Sequence, residues 1–139
     1  YEIMPSLVGS EMCIRDSFKM DCCNLIEMNK IMQNVDVVYH CAATAHEGLS
    51  VFSPYEITKN NYLASVSVFT AAVQNKVKRI IFCSSMARYG DQNTPFTEDM
   101  KPKPIDPYAI SKVAAENVLI NFYRLYLILQ GNQYFYKYR

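Results

Sequence analysis

Apolar and polar positions alternate along the chain in a way that predicts strands separated by helices. Residues 35–40 and 78–83 are short, nearly continuous runs of β-branched and aromatic side chains, which are typical of buried parallel strands. Residues 55–73 carry apolar side chains near a spacing of 3.6, which predicts a long helix, and residues 108–129 predict a second one. This order favours an α/β protein whose parallel sheet has helices on both faces.

Shorter segments complete the pattern. Residues 18–21 predict a short strand, and Asn24 is a candidate N-cap for a helix from residue 25 to about residue 33. Residues 41–54 and 84–107 are rich in Gly, Ser and Pro, which predicts loops. Because ligands bind beyond the carboxyl ends of strands in such sheets, we expect a site where these two loops begin.

The two ends of the chain do not continue the pattern. Residues 7–17 have no strand or helix period and read like one frame of a translated sequencing adapter. We therefore interpret residues 1–17 as read-through and exclude them from the fold. Residues 127–139 form an atypical aromatic and basic tail, which is a candidate artefact, and residues 18–126 remain as the predicted domain.

Composition and charge exclude several classes of protein. The chain has 139 residues, enough for one core, and a net charge of +1, which argues against a nucleic acid or membrane partner. No apolar run reaches the length of a membrane span. The five cysteines are an odd number without Cys-x-x-Cys spacing, which argues against a disulfide framework and against a metal site. We interpret them as small buried apolar residues in the reducing cytoplasm.

Tyr108 and Lys112 carry the central candidate chemistry. Their spacing of four places both side chains on one helix face. Asp106 as N-cap and Pro107 at the first helical position would put Tyr108 in the first turn. A tyrosine ordinarily ionises near pH 10, so a tyrosine that acts as a general base needs cations nearby, namely Lys112 and an oxidised nicotinamide ring.

The bare Tyr-x-x-x-Lys motif is weak, because the chain contains it twice. Tyr55 and Lys59 form the second copy, which we interpret as an ordinary exposed pair. Context separates the two copies. The copy at Tyr108 follows a predicted strand that ends at Ser84 and Ser85, and Ser85 could hydrogen-bond a substrate hydroxyl and hold it against Tyr108.

An ordered series of motifs resembles the extended short-chain dehydrogenase/reductase family. The nearest subgroup is the NAD-dependent nucleotide-sugar epimerases and dehydratases, which are similar to UDP-glucose 4-epimerase. The resemblance runs from about Phe18 to about Phe122 and rests on the following positions: Asp36-Val-Val-x-His-Cys-Ala-Ala43, Asn61, Val77-Lys-Arg79, Cys83-Ser-Ser-Met-Ala-Arg-Tyr-Gly-Asp91, Pro95, Thr97, Glu98, Pro104, Tyr108, Lys112 and Glu116.

The resemblance implies roles for individual residues. Tyr108 would remove a proton from the sugar hydroxyl, Lys112 would bind the nicotinamide ribose and make the phenol more acidic, and Ser85 would orient the hydroxyl. Asn61 would be a structural helix residue near the site. The implied cofactor-binding residues are Asp21, Cys22, Ala42, Ala43, Tyr108 and Lys112. The implied substrate-binding residues are Thr44, Ser85 and Met86.

The resemblance also implies a fold, a cofactor and partners. The fold class is a partial Rossmann-type, doubly wound parallel sheet without the first βαβ unit, its glycine-rich turn and the C-terminal substrate domain. The cofactor is NAD, with NADP as an alternative, and the substrate is a nucleotide sugar. The parent enzyme would be a cytoplasmic homodimer, and this chain alone would be inactive. A 4,6-dehydratase, a reductase and a non-catalytic dinucleotide-binding regulator remain as alternatives to the epimerase.

Overall fold

The computed structural model describes residues 17–130, and the side chains up to residue 125. All but one residue of the segment interpreted as adapter read-through lies outside this range. The last nine residues of the tail lie outside it too. Both interpretations of the chain ends therefore stay predictions.

The sheet consists of two parallel strands in the described part of the chain. Strand β1 spans Val37–His40 and strand β2 spans Arg79–Phe82. Val37 pairs with Arg79 and His40 pairs with Phe82, so the two strands end at the same edge of the sheet. Both predicted strands are thus confirmed, and each is shorter than its apolar run. The α/β class with a parallel sheet is confirmed as well.

The strand predicted at residues 18–21 is wrong. These residues have no regular secondary structure, and neither β1 nor β2 pairs with them. The segment instead leads into a turn that Asp21 closes by accepting a hydrogen bond from the Cys23 amide at 2.8 Å. An extended segment becomes a strand only where a neighbouring strand supplies hydrogen bonds.

Helix α1 spans Leu25–Ile31, and Asn24 caps it as predicted, because its Oδ1 accepts a hydrogen bond from the Glu27 amide at 3.3 Å. The long helix after the first loop is continuous from residue 54 to residue 74, but its middle is wider than an α-helix. It consists of α3 (Pro54–Ile57), a π-helical segment (Thr58–Leu63) and α4 (Ala64–Gln74). The apolar spacing predicted the helix, and it gave no sign of the π-helical segment.

The second long helix, α5, spans Pro107–Gln130 and is confirmed. The two predicted loops each contain one short helix that the sequence did not predict. Helix α2 spans Glu47–Ser50, and a 3-10 helix spans Met86–Tyr89. These short helices bring the loops back to α5, which α2 and the 3-10 helix both contact.

Helices cover one face of the sheet in the described residues. The core joins side chains of α1, α4, β2 and α5, and Phe69 and Ala115 within it are fully buried. On the opposite face, Tyr39 is 70% exposed and Val37 is 41% exposed. The expectation of helices on both faces, and of strands buried on both sides, is therefore met on one face only in this part of the chain. The three large helices α1, α4 and α5 all share the same core.

His40 lies at the centre of the packed face. It is 4% exposed, its ring stacks on Phe82 and meets Phe69 edge-on, and its Nε2 is 2.9 Å from the Ser65 hydroxyl. Burial lowers the pKa of His40 from 6.5 to about 4, and the nearby Lys112 cation acts in the same direction. His40 is therefore a neutral core residue that fixes the end of β1.

Candidate active site

The carboxyl ends of β1 and β2 bring the two predicted loop starts together. Cys41 follows β1 and Cys83 follows β2, and their sulfur atoms are 3.3 Å apart. The Cys83 amide also donates a hydrogen bond to the His40 carbonyl at 3.1 Å, which continues the pairing by one residue. The strand-end site expected from the sequence therefore lies on one edge of the sheet.

The first turn of α5 places Tyr108 as the sequence predicted. The helix begins at Pro107, and the Asp106 carboxylate accepts a hydrogen bond from the Ala109 amide at 2.9 Å, as an N-cap does. Asp106 also accepts a hydrogen bond from the Ser50 hydroxyl of α2 at 3.2 Å. Tyr108 is 6% exposed at the second position of the helix.

Lys112 reaches the end of β2 from one turn further along α5. Its Nζ donates a hydrogen bond to the Cys83 carbonyl at 2.5 Å and lies 4.3 Å from the centre of the Phe82 ring. The residue is only 3% exposed, and this burial lowers the pKa of Lys112, while Cys83, Glu116 and Cys41 oppose the shift. The ammonium is thus held at the site rather than extended into water.

Ser85 and Met86 begin the loop that follows this lysine contact. Ser85 Oγ accepts a hydrogen bond from the Ala87 amide at 3.2 Å and caps the 3-10 helix, and Met86 is 68% exposed. Both residues line an open cleft of about 920 Å³, whose described lining does not include Tyr108. Ser85 and Tyr108 make no hydrogen bond with each other in the described part of the chain, and of the two only Ser85 lines this cleft.

A buried carboxylate that the sequence analysis named without a role ties this loop to α5. Glu116 is 3% exposed; it accepts a hydrogen bond from the Ser84 hydroxyl and forms an ion pair with Arg88 at 3.2 Å. Lys112 and Glu116 therefore hold three residues of the segment that follows β2, namely Cys83, Ser84 and Arg88. The sequence signal for Glu116 was its spacing of four from Lys112, which places both side chains on one face of the helix.

Thr44 is held by the π-helical segment. Asn61, which is 1% exposed, accepts a hydrogen bond from the Thr44 amide at 2.6 Å and donates one to the Thr44 carbonyl at 3.2 Å. Its neighbour Asn60 donates to the Thr44 hydroxyl at 3.3 Å. Asn61 thus fixes the path of the loop after β1, in agreement with the structural role that the resemblance implied.

The remaining implied cofactor residues lie around the same edge. Ala42 and Ala43 follow β1 and are exposed, and Cys22 is half-buried in the turn before α1. The Cys23 amide of that turn holds the pKa of the Asp21 carboxyl below its usual value. The Cys23 thiol contacts the Lys59 carbonyl at 3.4 Å, so this turn packs against the π-helical segment that holds Thr44.

Two interpretations made from the sequence can now be compared with the structure. The second Tyr-x-x-x-Lys copy was predicted to be an exposed pair; this is confirmed for Tyr55, which is 75% exposed, while Lys59 is half-buried. The interpretation of the cysteines as buried apolar residues is wrong for Cys41 and Cys83, which are both exposed. They follow the last residues of β1 and β2, where no described element covers them. The hydrogen bond with Cys83 raises the pKa of Cys41.

The residues at this edge fit a dinucleotide. Ala42 and Ala43 are exposed residues with no side chain beyond Cβ, which permits close approach of a ligand. The Cys83 carbonyl accepts a hydrogen bond from one of the three N–H groups of the Lys112 ammonium, so two N–H groups can still donate to a ligand. A parallel sheet, small residues at one strand end and a buried lysine facing the other together define a nucleotide-binding α/β protein of the Rossmann type.

The particular family follows from comparison with known proteins. The profile of the NAD dependent epimerase/dehydratase family matches residues 8–130, which is most of the chain. The chain belongs to this family. The match begins inside the segment interpreted as read-through, and that interpretation stays a prediction.

Individual proteins of the family are similar to this chain. A putative UDP-arabinose 4-epimerase 4 of Arabidopsis thaliana is 36% identical over 88 residues, which are 63% of this chain and 20% of that protein. The solved UDP-N-acetylglucosamine 4-epimerase of Methanobrevibacter ruminantium M1, in complex with UDP-N-acetylmuramic acid, is 36% identical with a TM-score of 0.74, over 78% of this chain and 35% of that one. MoeE5, solved with UDP-glucose and NAD, is 30% identical with a TM-score of 0.72, over 76% of this chain and 35% of that one.

The chain therefore spans about a fifth of the curated relative and about a third of the solved structures. The helices in the described residues include none that is long and apolar enough to cross a membrane.

Proposed function

We propose that this chain is the central part of the NAD-binding domain of a nucleotide-sugar 4-epimerase. The observation that carries the proposal is the hydrogen bond from the Lys112 ammonium to the Cys83 carbonyl. It joins the helix that carries Tyr108 in its first turn to the strand end that leads into Ser85. A nucleotide-sugar hydroxyl between Ser85 and Tyr108 would then lie beside a cation held in place by burial.

In this proposal Asp21, Cys22, Ala42 and Ala43 bind NAD, while Thr44, Ser85 and Met86 contact the sugar. NAD held by these residues would supply reversible hydride transfer at a sugar carbon. The protein's own part is to move one proton. Ser85 orients the sugar hydroxyl, and Tyr108 takes its proton as a general base.

The buried charges support this division of roles. A phenolate at Tyr108 needs a cation that stays close, and Lys112 is held one helical turn away by its hydrogen bond to Cys83. Glu116 engages Ser84 and Arg88, which keeps Ser85 at a fixed distance from α5. Asn61 fixes the Thr44 loop on the other side of the site.

We further propose that the complete enzyme acts in the cytoplasm as a homodimer. Four free cysteines in the described residues, two of them exposed, support a reducing compartment. The dimer is expected from the resemblance to the extended short-chain dehydrogenases.

The test is incubation of the full-length enzyme and NAD with UDP-glucose, UDP-arabinose or UDP-N-acetylglucosamine, followed by separation of the products. An epimerase converts one of these into its 4-epimer without net formation of NADH. A 4-keto-6-deoxy product would identify a dehydratase instead, and stoichiometric NADH would identify a dehydrogenase. Either of these results would overturn the epimerase proposal.

A further inference from the structure

The thiols of two cysteines at the carboxyl ends of the strands have no part in the proposed reaction. Cys41 and Cys83 follow β1 and β2 directly, one residue beyond the paired positions His40 and Phe82. Their sulfur atoms are 3.3 Å apart, and both residues are exposed. The pair is thus a dithiol that water and small reagents can reach.

The backbone at this point is suited to a covalent link. Neighbouring strands lie about 4.8 Å apart, which falls inside the range of Cα separations found in disulfides. The Cys83 amide donates a hydrogen bond to the His40 carbonyl at 3.1 Å, so the two segments of backbone still run side by side at the cysteines. The sulfur atoms need to approach by only about 1.3 Å to reach bonding distance.

We propose that Cys41 and Cys83 form a reversible intramolecular disulfide when the protein meets a small-molecule disulfide such as oxidised glutathione. One cysteine thiolate attacks a glutathione sulfur, giving a mixed disulfide and releasing one reduced glutathione. The second cysteine then attacks the protein sulfur of that mixed disulfide and releases the other reduced glutathione. Two thiols lose two protons and two electrons, and one disulfide is reduced to two thiols.

The link would join the loop that carries Ala42 to the loop that carries Ser85. Cys22 and Cys23 offer the natural comparison within the chain. They are half-buried, and Cys23 donates its thiol proton to the Lys59 carbonyl rather than to another sulfur. Adjacent cysteines in sequence also rarely achieve the geometry of a disulfide.

The experiment treats the purified protein with oxidised glutathione, blocks remaining thiols with iodoacetamide, and digests it with trypsin without reduction. The result we expect is a linked pair of peptides ending at Lys59 and Arg88, two mass units below their sum, that separates with dithiothreitol. Cys41→Ser should abolish the linked pair completely and leave Cys83 carrying glutathione, whereas Cys22→Ser should leave the link unchanged.

Two results would overturn the proposal. One is recovery of Cys41 and Cys83 as separate iodoacetamide adducts while glutathione reacts elsewhere. The other is accumulation of glutathione on both cysteines without the link. Neither result depends on catalysis, so the outcome is independent of whether the protein is an epimerase.

Discussion

Replacement of Asn61 by alanine isolates the contact that holds the Thr44 loop. Asn61→Ala removes an acceptor 2.6 Å from the Thr44 amide and a donor 3.2 Å from the Thr44 carbonyl. Each hydrogen bond contributes about 1 kcal/mol net, so we expect the free energy of unfolding to fall by about 2 kcal/mol. Loss of the amide contact alone should make hydrogen exchange at Thr44 about fivefold faster.

The neighbouring residue provides a matched control. Asn60→Ala removes one long contact of 3.3 Å to the Thr44 hydroxyl and leaves both backbone contacts in place. We expect it to change the free energy of unfolding by less than about 0.5 kcal/mol and to leave amide exchange unaltered. Urea unfolding and mass-resolved hydrogen exchange of the two variants measure both quantities. Equal effects of the two substitutions would refute the reasoning about Asn61.

Three further predictions follow from the buried polar groups. Asp106→Ala should lower the free energy of unfolding by about 1 kcal/mol, because the Ala109 amide loses its cap. Asp106→Asn keeps a capping oxygen and should lower it by only a few tenths of a kcal/mol. Urea titration distinguishes these values, and equal losses would count against the cap. The pKa of His40 is lowered to about 4, so the unfolded chain binds more protons than the folded chain between about pH 6.5 and pH 4. The free energy of unfolding should therefore fall by up to about 3 kcal/mol as the pH is lowered through this window. His40→Asn should remove that part of the pH dependence, and an unchanged profile would show that His40 is not its source. Glu116→Gln leaves the Arg88 guanidinium without the Glu116 carboxylate and should lower the free energy of unfolding by about 2 kcal/mol. This is less than for a wholly buried pair, because the Arg88 side chain is 21% exposed. Adding Arg88→Met should recover most of the loss, and purely additive losses in thermal unfolding would argue against the ion pair.

The sequence predicted the elements whose signals are local. The β-branched runs at β1 and β2, the caps Asn24 and Asp106, and the apolar spacing of the long helices each depend on residues within a few positions of one another. These predictions are confirmed in the structure. The meeting of the two loops at the carboxyl ends of the strands was also predictable, because neighbouring parallel strands end on the same side of the sheet.

The parts that were missed depend on contacts between distant segments. Residues 18–21 have the composition of a strand, yet they have no strand partner in the described residues. Cysteine is usually a buried residue, which is why Cys41 and Cys83 were predicted to be buried. Only the strand register shows that both lie just beyond the ends of the strands, where they are exposed. Likewise Glu116 became interpretable when the fold brought Ser84 and Arg88 to it across about thirty residues.

The central claim is tested most directly by replacing Tyr108 with phenylalanine in the full-length enzyme. Turnover of the nucleotide sugar and binding of NAD are measured side by side, and Tyr55→Phe serves as the control because Tyr55 lies in the exposed copy of the same motif. We expect Tyr108→Phe to lose turnover by at least about a hundredfold while it still binds NAD, and Tyr55→Phe to keep both. Wild-type turnover in Tyr108→Phe would show that the proton is moved by another group.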